Sequence, residues 1–226
     1  MTPRAANRRR HNSMKMTRFL TLLAMALMTA LPGCKTDDDE TLSEAERQAA
    51  VNALKGDMVL SAKATVNGVD KTLLPSGAPA LFSFEERDGG LTMWQRDFRV
   101  GNMPFPINFG VELKLSPLLS FEKGDFSESG WVRFHGKRGN LSIDGNAPSS
   151  AVDETASGDG STVTGYVNAR TKEIVLQISY ALMTVEVVAE RQAIDPSRVT
   201  NYEAEKEQYV RDLEEYKKNH GLDAGD

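Results

Sequence analysis

From residue 57 the chain alternates. Met58, Leu60, Ala62, Ala64 and Val66 fall at every second position, with Val59, Ser61, Lys63 and Thr65 between them. Period two predicts a strand with one buried face, the first set inward and the second outward. Asn67-Gly68 follows directly and is the strongest two-residue hairpin signal. Residues 81–85 and 91–95 flank a turn at Arg87, Asp88, Gly89 and Gly90, and residues 111–115 alternate cleanly. Residues 131–135 and 141–143 predict two short strands joined by a glycine-containing turn at 136–140. Residues 165–169, 174–180 and 184–190 complete the set. Between eight and ten strands separated by turn residues predict a mainly β chain, an antiparallel barrel or half-barrel. A two-sheet sandwich is the alternative.

The period turns helical at both ends. Residues 42–56 predict a short helix: Ser43 and Glu46 form a capping box, and Gly56 stands where a helix-terminating glycine belongs. Leu42, Ala45, Ala49 and Leu54 give it a thin apolar side. Residues 195–221 predict a long helix. Asp195-Pro196 suits its start, Thr200 with Glu203 offers a second capping box, and Gly221 ends it. Tyr202, Tyr209 and Tyr216 recur every seven residues, with Val199 and Leu213 beside them. This stripe either packs on the β domain or meets a partner; so few heptads do not establish a coiled coil. Residues 144–161 are rich in Gly, Ser, Asp and Ala, which predicts a disordered or mobile loop. Met103-Pro104-Phe105-Pro106 predicts a loop over one end of the sheet, because two prolines remove two donors.

Charge divides the chain. Residues 1–33 hold six Arg and Lys and no acid; the formal total is −5, so residues 34–226 carry −11. That acidity argues against nucleic acid and against general attraction to anionic lipid. Within the basic head, Phe19 to Leu31 form a thirteen-residue apolar run, the length of a signal-peptide core and too short to span a bilayer. Leu31-Pro32-Gly33-Cys34 comes next and resembles the bacterial lipobox, with Pro32 as its one departure. The resemblance implies that Cys34, the only cysteine, is lipidated and becomes the new N-terminus. An ordinary secretory signal is the alternative, and Met14 or Met16 is a plausible start. Lys35 to Glu40 read as an acidic tether, and also resemble the export tag of surface lipoproteins in Bacteroidota. The expected organisation is a signal peptide over 1–33, a tether over 34–41, a helix over 42–56, a β domain over 57–191 and a helix over 195–221.

Candidate chemistry is sparse. One cysteine excludes an internal disulfide framework, and three histidines leave little for a metal centre. His135 has no second histidine or cysteine nearby. Asp144-Gly145-Asn146 begins like a calcium loop, but Thr155 stands where the loop needs a glutamate. Glu85, Glu86, Glu112, Glu122, Asp125 and Glu128 read as solvated carboxylates rather than as a glycosidase pair. No Gly-x-Ser-x-Gly nucleophile motif and no phosphate-binding glycine loop is present. Phe82, Phe84, Trp94, Phe98, Phe105, Phe109, Phe121, Phe126, Trp131, Phe134, Tyr166 and Tyr180 read first as core and second as the lining of a ligand cavity.

The lipobox, the acidic tether, Leu54-x-Gly56 before the first strand, the 94–100 stretch before a proline loop and the Gly165-Tyr166 hairpin together resemble the calycin-like lipoproteins of Bacteroidota. That uncharacterised family implies a calycin-like barrel in the cell envelope and no catalytic residues, and the resemblance of the acidic cluster to an export tag implies the outer membrane and exposure at the cell surface. The expected function is a lipid-anchored binding or accessory module without catalysis, metal or cofactor. Its partner is an apolar or amphipathic small molecule. A protein docked on the C-terminal helix is the second expectation and a carbohydrate-active enzyme the third.

Overall fold

The structure is a computed structural model that describes residues 41–87, 89–99, 105–181 and 184–222. The lipobox cysteine Cys34, the leader over 1–33, the tether up to residue 40 and Met103-Pro104 lie outside the described residues.

Helix α1 (Glu44–Leu54) begins at the expected capping box: Ser43 Oγ accepts from Glu46 N, and Glu46 Oε2 accepts from Ser43 N at 3.0 Å. Its buried side is Ala50, Val51, Ala53 and Leu54; Ala45 and Ala49, expected on the apolar side, are exposed. Only the last turns rest on the β domain. Gly56 adopts φ 108 and turns the chain straight into the first strand.

Nine strands follow: β1 (Gly56–Val66), β2 (Val69–Asp70), β3 (Ala78–Arg87), β4 (Gly90–Phe98), β5 (Ile107–Ser116), β6 (Trp131–Ser142), β7 (Ser161–Asn168), β8 (Glu173–Tyr180) and β9 (Val185–Ala193). Each of β3 to β9 pairs antiparallel with its sequence neighbour, and β1 pairs with both β3 and β9. The result is a closed eight-strand barrel, with β2 added at the edge of β1 through the Asn67-Gly68 turn (φ 51 and 76).

Closure depends on one bent strand. Residues 56–62 of β1 pair with β3, and residues 63–66 pair with β9. Where β9 and β1 diverge, a side chain replaces the ladder: Gln192 Oε1 accepts from Ser61 N at 2.8 Å and Gln192 Nε2 donates to Ser61 O at 3.0 Å. Backbone groups on a seam carry the same obligation to pair as elsewhere.

The interior follows the alternation. Leu60, Ala62, Ala64, Phe82, Phe84, Phe98, Phe109, Phe134 and Leu176 are all essentially inaccessible. Phe84 meets Phe134 edge-on at 6.1 Å, and Phe109 meets Tyr180 at 5.3 Å. Strand glycines make room for these rings: a Cβ at Gly165 would lie 2.1 Å from the Phe134 ring, and one at Gly139 would lie 2.3 Å from Phe109. The predicted turn at 136–140 is therefore a correction. Residues 131–142 form one strand, and Gly136 and Gly139 serve close approach inside it.

Two further expectations change. Residues 144–160 are an ordered loop bound to β6: Asp153 N donates to Arg138 O, Arg138 N to Asp159 O, and Asn140 N to Ala151 O. Backbone hydrogen bonds and the buried Ala151 hold it where large apolar side chains are lacking. The C-terminal helix is two pieces, α2 (Ser197–Thr200) and α3 (Tyr202–His220), and no side-chain cap forms at Asn201, so the Thr200–Glu203 box is absent. Asp195 instead accepts from Ser197 N at 2.9 Å. Tyr202 and Leu213 are buried, and Tyr209 donates to Thr72 O at 3.2 Å. Gly221 ends α3 at φ 66.

Candidate functional site

The barrel interior is packed with side chains, so the candidate sites lie on its outside. Three were compared.

The first is a buried polar cluster beneath the connection between β5 and β6. Glu122 was expected to be solvated, yet it is 4 % exposed. Its Oε1 accepts from Tyr166 Oη at 2.7 Å, its Oε2 accepts from Leu119 N at 2.8 Å, and Arg133 Nε lies 3.3 Å away. Tyr166 stacks on Phe126 at 4.2 Å, and Phe126 packs on Trp131. Arg191 lies over the Trp131 ring and bridges Glu128 and Glu173. Burial, then the bond to Glu122, pushes the Tyr166 phenol well above its usual range. Every charge in this cluster has an opposite, and together the cluster fastens the connection to the barrel wall.

The second is a concavity at the seam, lined by Ser61, Lys63, Gln192 and Arg198 among others. Its cations are also paired: Lys63 with Glu190 at 3.4 Å and Arg198 with Glu205 at 2.6 Å. Arg198 also donates to Ser61 Oγ and to Gln192 Oε1. These bonds seal the barrel and tie α2 to it.

The third is an open groove of about 1100 Å³ between α1, the β3–β4 turn, β5 and β6. Among its apolar lining residues Val51 and Leu113 are buried and only Leu115 and Val152 are partly accessible, while Arg47, Arg87, Lys114, Lys137 and Arg138 supply positive charge. His135 lines it opposite Lys114 in the β5–β6 register. Burial, then Arg133, Lys114 and Lys137, pulls the His135 pKa down to about 4, so the ring is neutral at pH 7. In that state Nδ1 can accept from Arg133 Nη1, 3.2 Å away. Arg87 and Lys114 are exposed and make no ion pair among the described residues.

The remaining sequence candidates are structural. Asp144 Oδ1 accepts from Ser142 Oγ and from Asn146 N, closing a local turn. Among the described residues no group of three or more His, Cys, Asp or Glu stands close enough to hold a metal ion. Among them no helix is long and apolar enough to cross a membrane. Inside the barrel, Tyr180 Oη donates to Gln95 Oε1, while the buried Gln95 Nε2 finds no protein partner among the described residues.

The groove was not anticipated from the sequence. The cations that act on His135 are Arg133 and Lys137 of its own strand and Lys114 of β5; Arg47 of α1 and Arg87 of β3 join the same groove only through the fold.

Neither the comparison with curated proteins nor that with solved structures gives a match. The family described as a domain of unknown function, DUF4903, matches residues 34–221, and the chain belongs to that family.

Proposed function

We propose that the chain is a binding or accessory module of the bacterial envelope, held by a lipid on Cys34 and carrying no reaction of its own. Three features support the anchor: the apolar run 19–31, the lipobox pattern ending at Cys34, and the acidic residues behind it. The family's shared region also starts at residue 34, the residue that the lipobox singles out. The closed antiparallel barrel accords with the β-barrel expectation, and the outer membrane is the location that the lipobox and the acidic residues behind it suggest for this reading.

The ligand in this reading is an apolar or amphipathic small molecule. The groove carries the proposal. It is open, it exposes apolar surface at Leu115 and Val152, and its wall holds cations without partners among the described residues. The barrel lumen is filled by Phe82, Phe84, Phe109 and Phe134. Docking of a protein on the C-terminal helix finds less support, because Tyr202 and Leu213 face the chain's own barrel.

A calorimetric titration with alcohols of increasing chain length tests the site. Each buried CH₂ should strengthen binding by about 0.8 kcal/mol. Thr92→Trp, which places a ring in the groove, should abolish that gain without lowering the melting temperature. Equal binding of short and long alcohols, or binding that survives Thr92→Trp, would remove the groove as the site.

A further inference from the structure

The groove wall differs in sign from the protein that carries it. Residues 34–226 have a formal charge of −11, yet five cationic side chains line the groove against one carboxylate, Glu112. Three of the five are engaged: Arg47 with Glu44 at 2.9 Å, Lys137 with Asp159 at 3.0 Å and Arg138 with Glu154 at 3.5 Å. Arg87 and Lys114 are not engaged among the described residues.

Their placement is specific. Arg87 ends β3, and Lys114 projects outward from β5, with the start of β4 between them. Lys114 faces His135 across the β5–β6 ladder. His135 is neutral and brings no further positive charge, but a neutral imidazole offers one N–H. Exposed cations on a folded surface usually reach a nearby carboxylate or point into water. Here two of them border an apolar surface that water solvates poorly, and Arg offers a two-pronged donor for a planar or tetrahedral anion.

We propose that the groove takes a free single-chain amphipath by its anionic head, a carboxylate or phosphate held between Arg87 and Lys114, with its alkyl chain running towards Val152. This inference rests on the groove being the binding site. Charge complementarity selects the head, and the apolar surface selects the chain. A bilayer surface is a poorer occupant, because a domain of −11 is repelled by anionic lipid as a whole. Inorganic phosphate is poorer too, since it leaves the apolar surface in water.

The test is a set of calorimetric titrations of the full chain with decanoate, decyl phosphate and the neutral decanol. All three should bind the wild type, the two anions more tightly. Arg87→Gln with Lys114→Gln should weaken both anions by about tenfold or more and change decanol by less than about twofold. Glu112→Gln should tighten the anions, since it removes the one carboxylate of the wall. Arg211→Gln with Lys218→Gln makes the same change of net charge on α3 and should leave all three ligands unchanged. Unchanged melting temperatures confirm that the variants fold.

Anions and decanol that bind the wild type and the groove variant alike would overturn the head-group assignment while keeping the groove. Failure of all three to bind would overturn the groove itself. Binding to phosphatidylglycerol vesicles without binding to free decanoate would overturn the choice of a free amphipath.

Discussion

At the scale of single residues, facing decides consequence. Leu60 is inaccessible, while its neighbours Ser61 and Lys63 are half-buried on the outer wall. A one-residue slip of β1 would exchange these sets, and the Leu60↔Ala80 and Lys63↔Val188 pairings exclude it. Leu60→Asp should therefore lower stability by several kcal/mol, on the order of the 3–5 found for an uncompensated buried charge. Lys63→Ser should cost about 1 kcal/mol or less, since its pair with Glu190 is on the surface. Urea unfolding of both variants checks the register; equal losses would show it to be wrong. His135 makes a second residue-scale prediction. Its folded pKa is lowered from 6.5 to about 4, by burial first and then by Arg133, Lys114 and Lys137. The unfolded chain takes up a proton near pH 6.5 that the folded chain refuses, so stability falls as pH drops from 6.5 towards 4. The half-exposed ring is screened by water, so the loss is on the order of 1 kcal/mol. His135→Gln should flatten the stability profile between pH 7 and pH 5 relative to wild type; parallel profiles would show that the ring does not titrate there.

At the scale of elements, the C-terminal helices are the clearest test of what packs on what. Val59 points to the outer side of β1 and is still only 1 % exposed, opposite Leu81 of β3. Helix α2 contacts β1, helix α3 contacts β3, and Arg198, Lys206 and Tyr209 bond to Ser61, Asp97 and Thr72. Truncation after Pro196 removes two buried side chains, Tyr202 and Leu213, each contributing roughly 1.5–3 kcal/mol. The melting temperature should drop by roughly 10 °C for a loss of 3–6 kcal/mol in a chain of this length. A truncated chain melting at the wild-type temperature would mark the helix as a docking arm and would favour the protein-partner reading. Alternation located β1, β8 and β9 to within a few residues, but it set the seventh strand at 165–169 and missed the first half of β7, residues 161–164. It failed on β6, where glycine signals a turn and a close approach equally; only Phe109 and Phe134 on other strands decide between them. It shortened β5, because Pro106 stands directly before Ile107 and obscured where pairing resumes. It also misread residues 144–160, whose order comes from main-chain bonds to Arg138 and Asn140 that composition cannot reveal. The groove escaped it for a related reason: Arg47, Arg87, Lys114 and His135 are far apart in the chain and meet only in the folded barrel.

At the scale of the whole molecule, the described residues form a barrel filled with side chains, with a groove lined by five cations on its wall, the surface proposed above for binding. The C-terminal helix lies inside the family's shared region, which runs from residue 34 to residue 221, and so belongs to the same unit as the barrel. The other end of that region is Cys34. Each buried CH₂ of an acyl chain contributes about 0.8 kcal/mol, and a single chain anchors only marginally, whereas two or more hold firmly. The acidic residues Asp37 to Glu40 would add repulsion from anionic headgroups, so the proposed anchor at Cys34 would have to rest on its acyl chains. Cys34→Ala should therefore move the protein from the membrane fraction to the soluble fraction, or leave it with residues 1–33 uncleaved. The two results are separable: mass spectrometry of the wild type should find an N-terminal Cys34 carrying acyl mass, and the variant should lack it. High salt should not release the wild type, because the attachment is apolar rather than ionic. A Cys34→Ala protein that keeps the wild-type membrane fraction and the wild-type mature mass would show that the anchor lies elsewhere.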